Sequence, residues 1–460
     1  MDTAEMDSRW GVERVRMLKR IGQGVIWPLF TFGALSLLLG QKETLELDLK
    51  EVNKLIAQLD DEDPQKRYKA SRRLEELGWR YPADIGEILH QTWAQSESLE
   101  VKRIAKEILS ILGEGRWTKG KLPKAPIKAR IGHTCIPAGE MAVIWGGSGR
   151  EGYYNDGACY NVKTRVWKTL SKAPIDARAY HTAVWTGKEM IIWGGGKGID
   201  TFYADGASYD VRKGVWERLP EAPIKQRAYH TAIWTGEKMI IWGGKERGKL
   251  YNDGASYDPE TECWERLPGS PIEGRHGHTA IWTGKEMIIW GGATRRTYYK
   301  DGACYDTKAK RWEKLPEAPL EARYCHTGVW TGKEMIIWGG IGKRIYADGA
   351  SYNVKTKRWR LLPQVSVKGR YSHAAIWIGE SMLIWGGATG LDYLSDGLRY
   401  YPQAEVWEML SKAPIAGRYF HTCSYLSHQI VIWGGVGRKF YDDGASYVTF
   451  YIPGIMEERR

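Results

Sequence analysis

Hydrophobic and polar residues follow three different rhythms along the 460-residue chain. The first is a run without charge, residues 21–40, which is about the length a helix needs to cross a bilayer. Arg9, Arg14, Arg16, Lys19 and Arg20 precede it, while Lys42 and Lys50 follow it among Glu43, Glu46 and Asp48. That asymmetry predicts a single-pass membrane anchor, with residues 1–20 as a cytoplasmic tail and the rest of the chain outside the cytoplasm. Signal cleavage, giving a secreted protein, and a buried core helix are the competing readings. The run ends Leu-Leu-Leu-Gly-Gln, without the small residues of a cleavage site, and no Cys follows it for lipidation.

The second rhythm, over residues 43–113, has helical period. Val52, Leu55, Ile56 and Leu59 share one helical face, and Val101, Ile104, Ala105, Ile108, Leu109 and Leu112 share another. Asp63 followed by Pro64 reads as an N-cap with proline at the first helical position. Gly78 and Gly113 stand where terminating glycines belong. Four helices in two hairpins result. Two hairpins are few for a free-standing solenoid, so the module is expected to pack on its neighbour.

The third rhythm is a repeat of 47 to 49 residues. Trp-Gly-Gly begins at Trp145, Trp193, Trp242, Trp290, Trp338, Trp385 and Trp433. Asp-Gly recurs at Asp156, Asp205, Asp253, Asp301, Asp348, Asp396 and Asp443, each with a Tyr three residues after its glycine. Arg-x-x-His recurs seven times, from Arg130/His133 to Arg418/His421. Within a unit, β-branched and aromatic runs such as His181–Trp185 and Met190–Trp193 flank a Thr-Gly-Lys-Glu turn. Asp-Gly-Ala-Ser-Tyr and Val-Trp-Glu-Arg-Leu-Pro supply two more strands. Four strands in about 48 residues describe a propeller blade.

The double glycine closing the second strand, the third-strand Tyr and the fourth-strand Trp resemble kelch repeats of bacterial type, over about 340 residues and all seven units. The resemblance implies a mainly β fold. The expected chain is a seven-bladed kelch β-propeller over residues 116–460, preceded by one transmembrane helix and the α-helical module. That module is similar to HEAT-like repeats, which are mostly interaction scaffolds; a plain helical spacer reads equally well. Seven fourth-strand tryptophans exist, but the first, Trp117, precedes the first unit, and none follows Tyr447. The Trp117 strand is therefore expected to complete the last blade.

Composition then gains an account. Of 23 Trp, only Trp10, Trp27, Trp79 and Trp93 lie outside the repeated positions. The six Cys include no Cys-x-x-Cys, and most stand where other units have Ala, Gly or Ser, as small buried thiols do. Cys135 and Cys423 would sit in adjacent blades of a closed ring, which leaves a bridge open as an alternative. The net charge of +12 belongs to the repeat region: residues 1–41 contribute +1 and residues 42–116 contribute −3, leaving +14 for the remainder. Anionic glycans, acidic proteins or lipid head groups would suit such a surface outside a membrane, and nucleic acid is not expected.

Seven His and seven Arg at one position each read as framework, each Arg paired with the Asp of an Asp-Gly, because a catalytic or metal site needs an asymmetric constellation. The Gly-Gly pairs lack the strand–turn–helix context of a phosphate loop. No cofactor, metal or catalytic residue is expected. Function is instead sought where the units differ. The loops after Gly-Gly hold twelve basic and five acidic residues besides the repeated Asp. In kelch proteins these loops share a face with the segments entering the first strand, and that face holds the ligand. The resemblance thus places the candidate ligand-binding residues at Tyr180, Tyr229, His276, Tyr324, Tyr371 and Tyr419 around the channel mouth. Arg295, Arg296, Lys343, Arg344, Arg438 and Lys439 follow on the loops above it. The expected function is a membrane-anchored binding or scaffold protein presenting this face to a protein or anionic glycan, with a further protein partner for the helices. The alternative is a carbohydrate-active, epimerase-like enzyme at the mouth.

Overall fold

A computed structural model describes residues 47–449. The anchor expected at residues 21–40 lies outside these. Among the described residues no helix is long and apolar enough to cross a membrane.

Four helices lead the described chain: α1 (Leu49–Gln58), α2 (Pro64–Arg80), α3 (Pro82–Gln95) and α4 (Leu99–Glu114). Asp48, Asp63 and Ser98 cap α1, α2 and α4 by accepting from the N–H groups of Lys50, Gln65 and Val101. The apolar faces of α2 and α4 meet Val52, Leu59, Ile85 and Leu89 in one core. Two expectations about glycine are corrected here. Gly78 does not end its helix: α2 runs on to Arg80, and a Cβ at Gly78 would lie 2.6 Å from a Leu112 methyl, so the glycine allows close helix approach. Gly113 does not end α4 either. The chain turns at Gly115, with φ +78°, where a Cβ would run into the Tyr447 ring.

Seven four-stranded antiparallel sheets follow in a ring. In blade 2 the order from the channel outward is Thr182–Trp185, Glu189–Trp193, Gly206–Asp210 and Val215–Arg218. The other blades repeat it. Blade 7 borrows its outer strand: Arg116–Trp117 pairs antiparallel with Gly444–Val448, Trp117 opposite Tyr447. First and last parts of the described ring are thus hydrogen-bonded to each other, which leaves no open seam between them.

The repeated residues bind each blade to the one before it. The Trp preceding Gly-Gly is almost wholly buried in every blade. The ring of Trp145 receives Trp216 of blade 2 at 5.8 Å and His181 edge-on at 5.0 Å. His181 Nε2 lies 3.0 Å from Thr134 Oγ1, and His230 Nε2 is 2.8 Å from Thr182 Oγ1. Gly146 stands at φ +68°, and a Cβ there would lie 2.6 Å from the His181 ring. Desolvation and the nearby Arg guanidinium hold the ring histidines neutral; His133, His230, His326 and His421 are pushed down to about 3.

Each repeated Arg is fully buried and forms an ion pair with its Asp-Gly carboxylate, at 2.7–3.0 Å in all seven blades. In six blades its guanidinium also lies 4.0–4.4 Å from the ring of the Tyr two residues before that Asp. Part of the loop aromatic set is therefore framework. All six cysteines are free, so Cys135 and Cys423 form no bridge; Ser424 Oγ donates to Cys135 Sγ at 3.2 Å.

The helices dock on the ring. Val448 joins their core. Arg399 of blade 6 is 1% exposed; it donates to the Gly113 carbonyl at 2.7 Å and to Ser381 Oγ at 2.9 Å. A cation thus meets the carbonyl end of α4, where the helix dipole favours one. Tyr447 Oη and Thr449 Oγ1 donate to the Glu114 and Gly113 carbonyls, and Lys163 pairs with Asp84 at 3.2 Å. Lys163 and Thr449 lie at the ends of blades away from Gly-Gly, so the helices cover the face opposite the candidate mouth.

Candidate functional site

The mouth is built on an unusual backbone. The residue just before each ring histidine (Gly132, Tyr180, Tyr229, Gly277, Cys325, Ser372 and Phe420) has φ between +50° and +64°. Only the two glycines tolerate this freely, so five side-chain-bearing residues are held against local preference by the surrounding packing. Hydrogen bonds along the collar show how. Tyr180 N donates to Gly132 O, Tyr229 N to Tyr180 O, Cys325 N to Gly277 O, Ser372 N to Cys325 O and Phe420 N to Ser372 O, at 2.8–3.2 Å.

One residue earlier, Ile131, Ala179, Ala228, His276, Tyr324, Tyr371 and Tyr419 pair with Ser148, Gly196, Lys245, Ala293, Ile341, Ala388 and Val436, each directly after a Gly-Gly. The entering segments and the loops after the second strand therefore share one face.

The six candidate mouth residues fall into one rim. Tyr180 and Tyr229 stack at 4.2 Å and sit on the collar itself. His276 lies between Tyr229 and Tyr324, at 6.0 and 6.1 Å. Tyr324 stacks on Tyr298 of the preceding loop at 5.6 Å, and Tyr419 stacks on Tyr393 at 5.7 Å. Tyr371 meets Tyr419 edge-on, and Tyr419 continues through Phe420 to Tyr180. Burial raises the pKa of Tyr180, Tyr229, Tyr324, Tyr371 and Tyr419, which keeps the phenols neutral as hydrogen-bond donors. His276 is lowered to about 4 by burial and by the Lys245 cation, so it too is neutral near pH 7.

The six candidate basic residues are all exposed, at loop tips of blades 4, 5 and 7. None of them forms an ion pair among the described residues. Arg344 lies 5.3 Å from the Tyr346 ring and Lys439 6.0 Å from the Tyr441 ring. The acids of this face are largely engaged. Asp392 pairs with Lys368 at 2.7 Å, and Glu246 accepts from Tyr251 Oη at 2.6 Å and Gln226 Nε2 at 2.7 Å. An open depression of about 570 Å³ lies between blades 6 and 7, lined by Leu391, Tyr393, Gly417, Arg438 and Tyr441. The mouth is thus an aromatic rim crowned by uncompensated positive charge, suited to stacking and to holding anions.

Sequence reasoning placed Lys245 among the basic loop residues without singling it out, and it missed Arg399. Both occupy positions where no other blade carries charge, a signal that a unit-by-unit comparison contains. Among the described residues no three His, Cys, Asp or Glu side chains are grouped to hold a metal ion.

A family model described as the KLHDC2/KLHL20/DRC7 Kelch-repeats domain matches residues 132–340 and 277–449. A search of curated proteins gave no match. Together the matched stretches span the ring from the collar of blade 1 to the end of blade 7, and they leave out the helices: the chain belongs to the kelch-repeat family of β-propellers, a fold typically used as a protein-interaction scaffold.

Proposed function

We propose that the protein is a tethered scaffold whose propeller mouth holds an acidic segment of a partner protein. The observation that carries this reading is the set Arg295, Arg296, Lys343, Arg344, Arg438 and Lys439, exposed and without carboxylate partners, above a continuous rim of tyrosines. Such charge gives attraction that salt screens, and the aromatic rim gives contact area at low entropic cost. Residues 21–40 would tether the chain with the propeller outside the cytoplasm. The helical module, on the opposite face, would leave the mouth free and offer its outer surface to a second protein in the manner of HEAT-like repeats.

An anionic glycan is the second reading, favoured by the three parallel tyrosine pairs, whose faces suit sugar rings. One experiment separates them. The full chain is assayed against acidic and charge-neutral peptide libraries and against sulfated and uronic-acid glycans, at low and high salt. Acidic peptides are expected to bind, with affinity falling at least tenfold between 50 and 500 mM salt (an order-of-magnitude expectation for several screened contacts) and falling in Arg295→Ala/Arg296→Ala. Binding indifferent to both salt and that double variant overturns the location, and glycan capture without peptide capture selects the second reading.

A further inference from the structure

Three non-repeated residues of three successive blades lie near one another along the channel mouth. Lys245 stands directly after the Gly-Gly of blade 3, where the other blades have Ser148, Gly196, Ala293, Ile341, Ala388 and Val436. His276 is the single histidine at its register, and Cys325 the single cysteine at its own. Lys245 Nζ lies 4.5 Å from the Tyr229 ring centroid, and that ring is 6.0 Å from His276. Cys325 N donates to the Gly277 carbonyl at 3.0 Å, next to His276 in the chain, and the Lys245 cation helps to lower the pKa of His276.

Lys245 is half-buried and has no carboxylate partner among the described residues. Its neighbour Glu246 is turned to Tyr251 and Gln226. A partly desolvated cation without a counter-ion is costly and is usually found paired; the Tyr229 ring compensates it only in part. Burial accordingly lowers the Lys245 pKa. The collar is open at the same place. Five collar N–H groups bond to the collar carbonyl one blade back, but between Tyr229 and Gly277 no such bond is made, so the Gly277 N–H has no hydrogen-bond partner among the described residues. Collar closure fails at one other step, Phe420 to Gly132, where the residue in the Lys245 position is Val436.

We propose that Lys245, the His276 ring and the Gly277 N–H form an anion subsite in the channel wall, taking one carboxylate or phosphate group of the bound partner. The cation supplies charge, and His276 and Gly277 supply directed donors. This deepens the acidic-partner reading and rests on it for the source of the anion.

The test uses the full chain and two small probes, inorganic phosphate followed by its ³¹P line and labelled acetate followed by its ¹³C line. The wild type is expected to broaden at least one of the two, and which one broadens tells phosphate from carboxylate. Lys245→Met should reduce the broadening at least fivefold. Lys245→Arg keeps charge and fold and should retain it, and Lys197→Met, on the exposed loop of blade 2, should change nothing. No broadening by the wild type, or equal broadening by wild type and Lys245→Met, overturns the subsite. Failure of the underlying reading looks different: peptide binding indifferent to salt, alongside probe broadening that still depends on Lys245.

Discussion

Blades 2 and 6 share one strand plan and differ at three positions that the frame normally uses. In blade 2, Thr182 offers a hydroxyl to His230, Tyr203 lies 4.0 Å from Arg178, and Ser208 fills the third strand. In blade 6 the same places hold Ala374, Leu394 and Arg399. His421 loses its threonine hydroxyl, Arg370 falls back on the Trp338 ring at 5.9 Å, and Arg399 reaches out of the ring to the end of α4. The difference teaches that the repeat is kept where blades need only each other. It is broken at Arg399, where the end of α4 is received, and at Lys245, where the proposed anion would sit, while Ala374 and Leu394 simply drop a frame contact.

Acid should act most strongly on this comparison, because it attacks the repeated frame. The ring histidines are neutral in the fold and take up protons near pH 6.5 once unfolded. Their contribution is therefore intact above about pH 6.5 and is lost as pH falls below it, down to about 3 for His133, His230, His326 and His421. Each costs on the order of 1 kcal/mol per pH unit in that window. Urea midpoints followed by tryptophan fluorescence should drop steeply between pH 7 and 5, and a midpoint that is flat over this range would refute the framework role.

Next in size is Trp117→Ala. Trp117 is 9% exposed and wedges between Trp385 and Tyr447, so its removal should cost about 3–5 kcal/mol, the range for a buried Trp truncation. Trp216→Ala, at the half-exposed equivalent position of blade 2, should cost visibly less. Equal losses by chemical denaturation would mean that ring closure has no special weight.

Arg399→Ser restores the residue that most blades carry. It removes charge-assisted bonds to the α4 carbonyls, and about 2–3 kcal/mol should be lost. Hydrogen exchange should rise in α4 before it rises in blades 2 to 4, and unchanged protection in α4 would break the idea of a docking residue. The smallest effect runs the other way. Ala374→Thr returns a hydroxyl to His421 and should stabilise by about 1 kcal/mol, readable as a small rise in Tm; a fall would mean that blade 6 no longer has room for the frame contact.

Much of the fold was legible because each framework partner recurs at the same spacing. The Arg–Asp pair is local to one unit, and the Trp and His stitches recur between neighbouring units, so seven copies expose both. The helix ends were less legible. A glycine near a helix end reads as a stop, yet Gly78 serves a close contact with Leu112, a residue of another helix that no local pattern names. The mouth was legible as a face and as a set of six aromatic or imidazole residues, but its collar geometry was not, since tyrosine and cysteine carry no sequence signal for positive φ.

The sequence by itself determined the number of blades, their strand order, the framework role of the tryptophans and the excess of positive charge on one set of loops. These follow from periodic side-chain chemistry, which acts at short and repeated separations. Tertiary structure alone decided which non-repeated residues meet. Lys245, His276 and Cys325 come from three blades, and Arg399 meets a carbonyl 286 residues away. Such encounters depend on how the ring curves and where the helices dock, and single substitutions within a repeat do not encode that geometry.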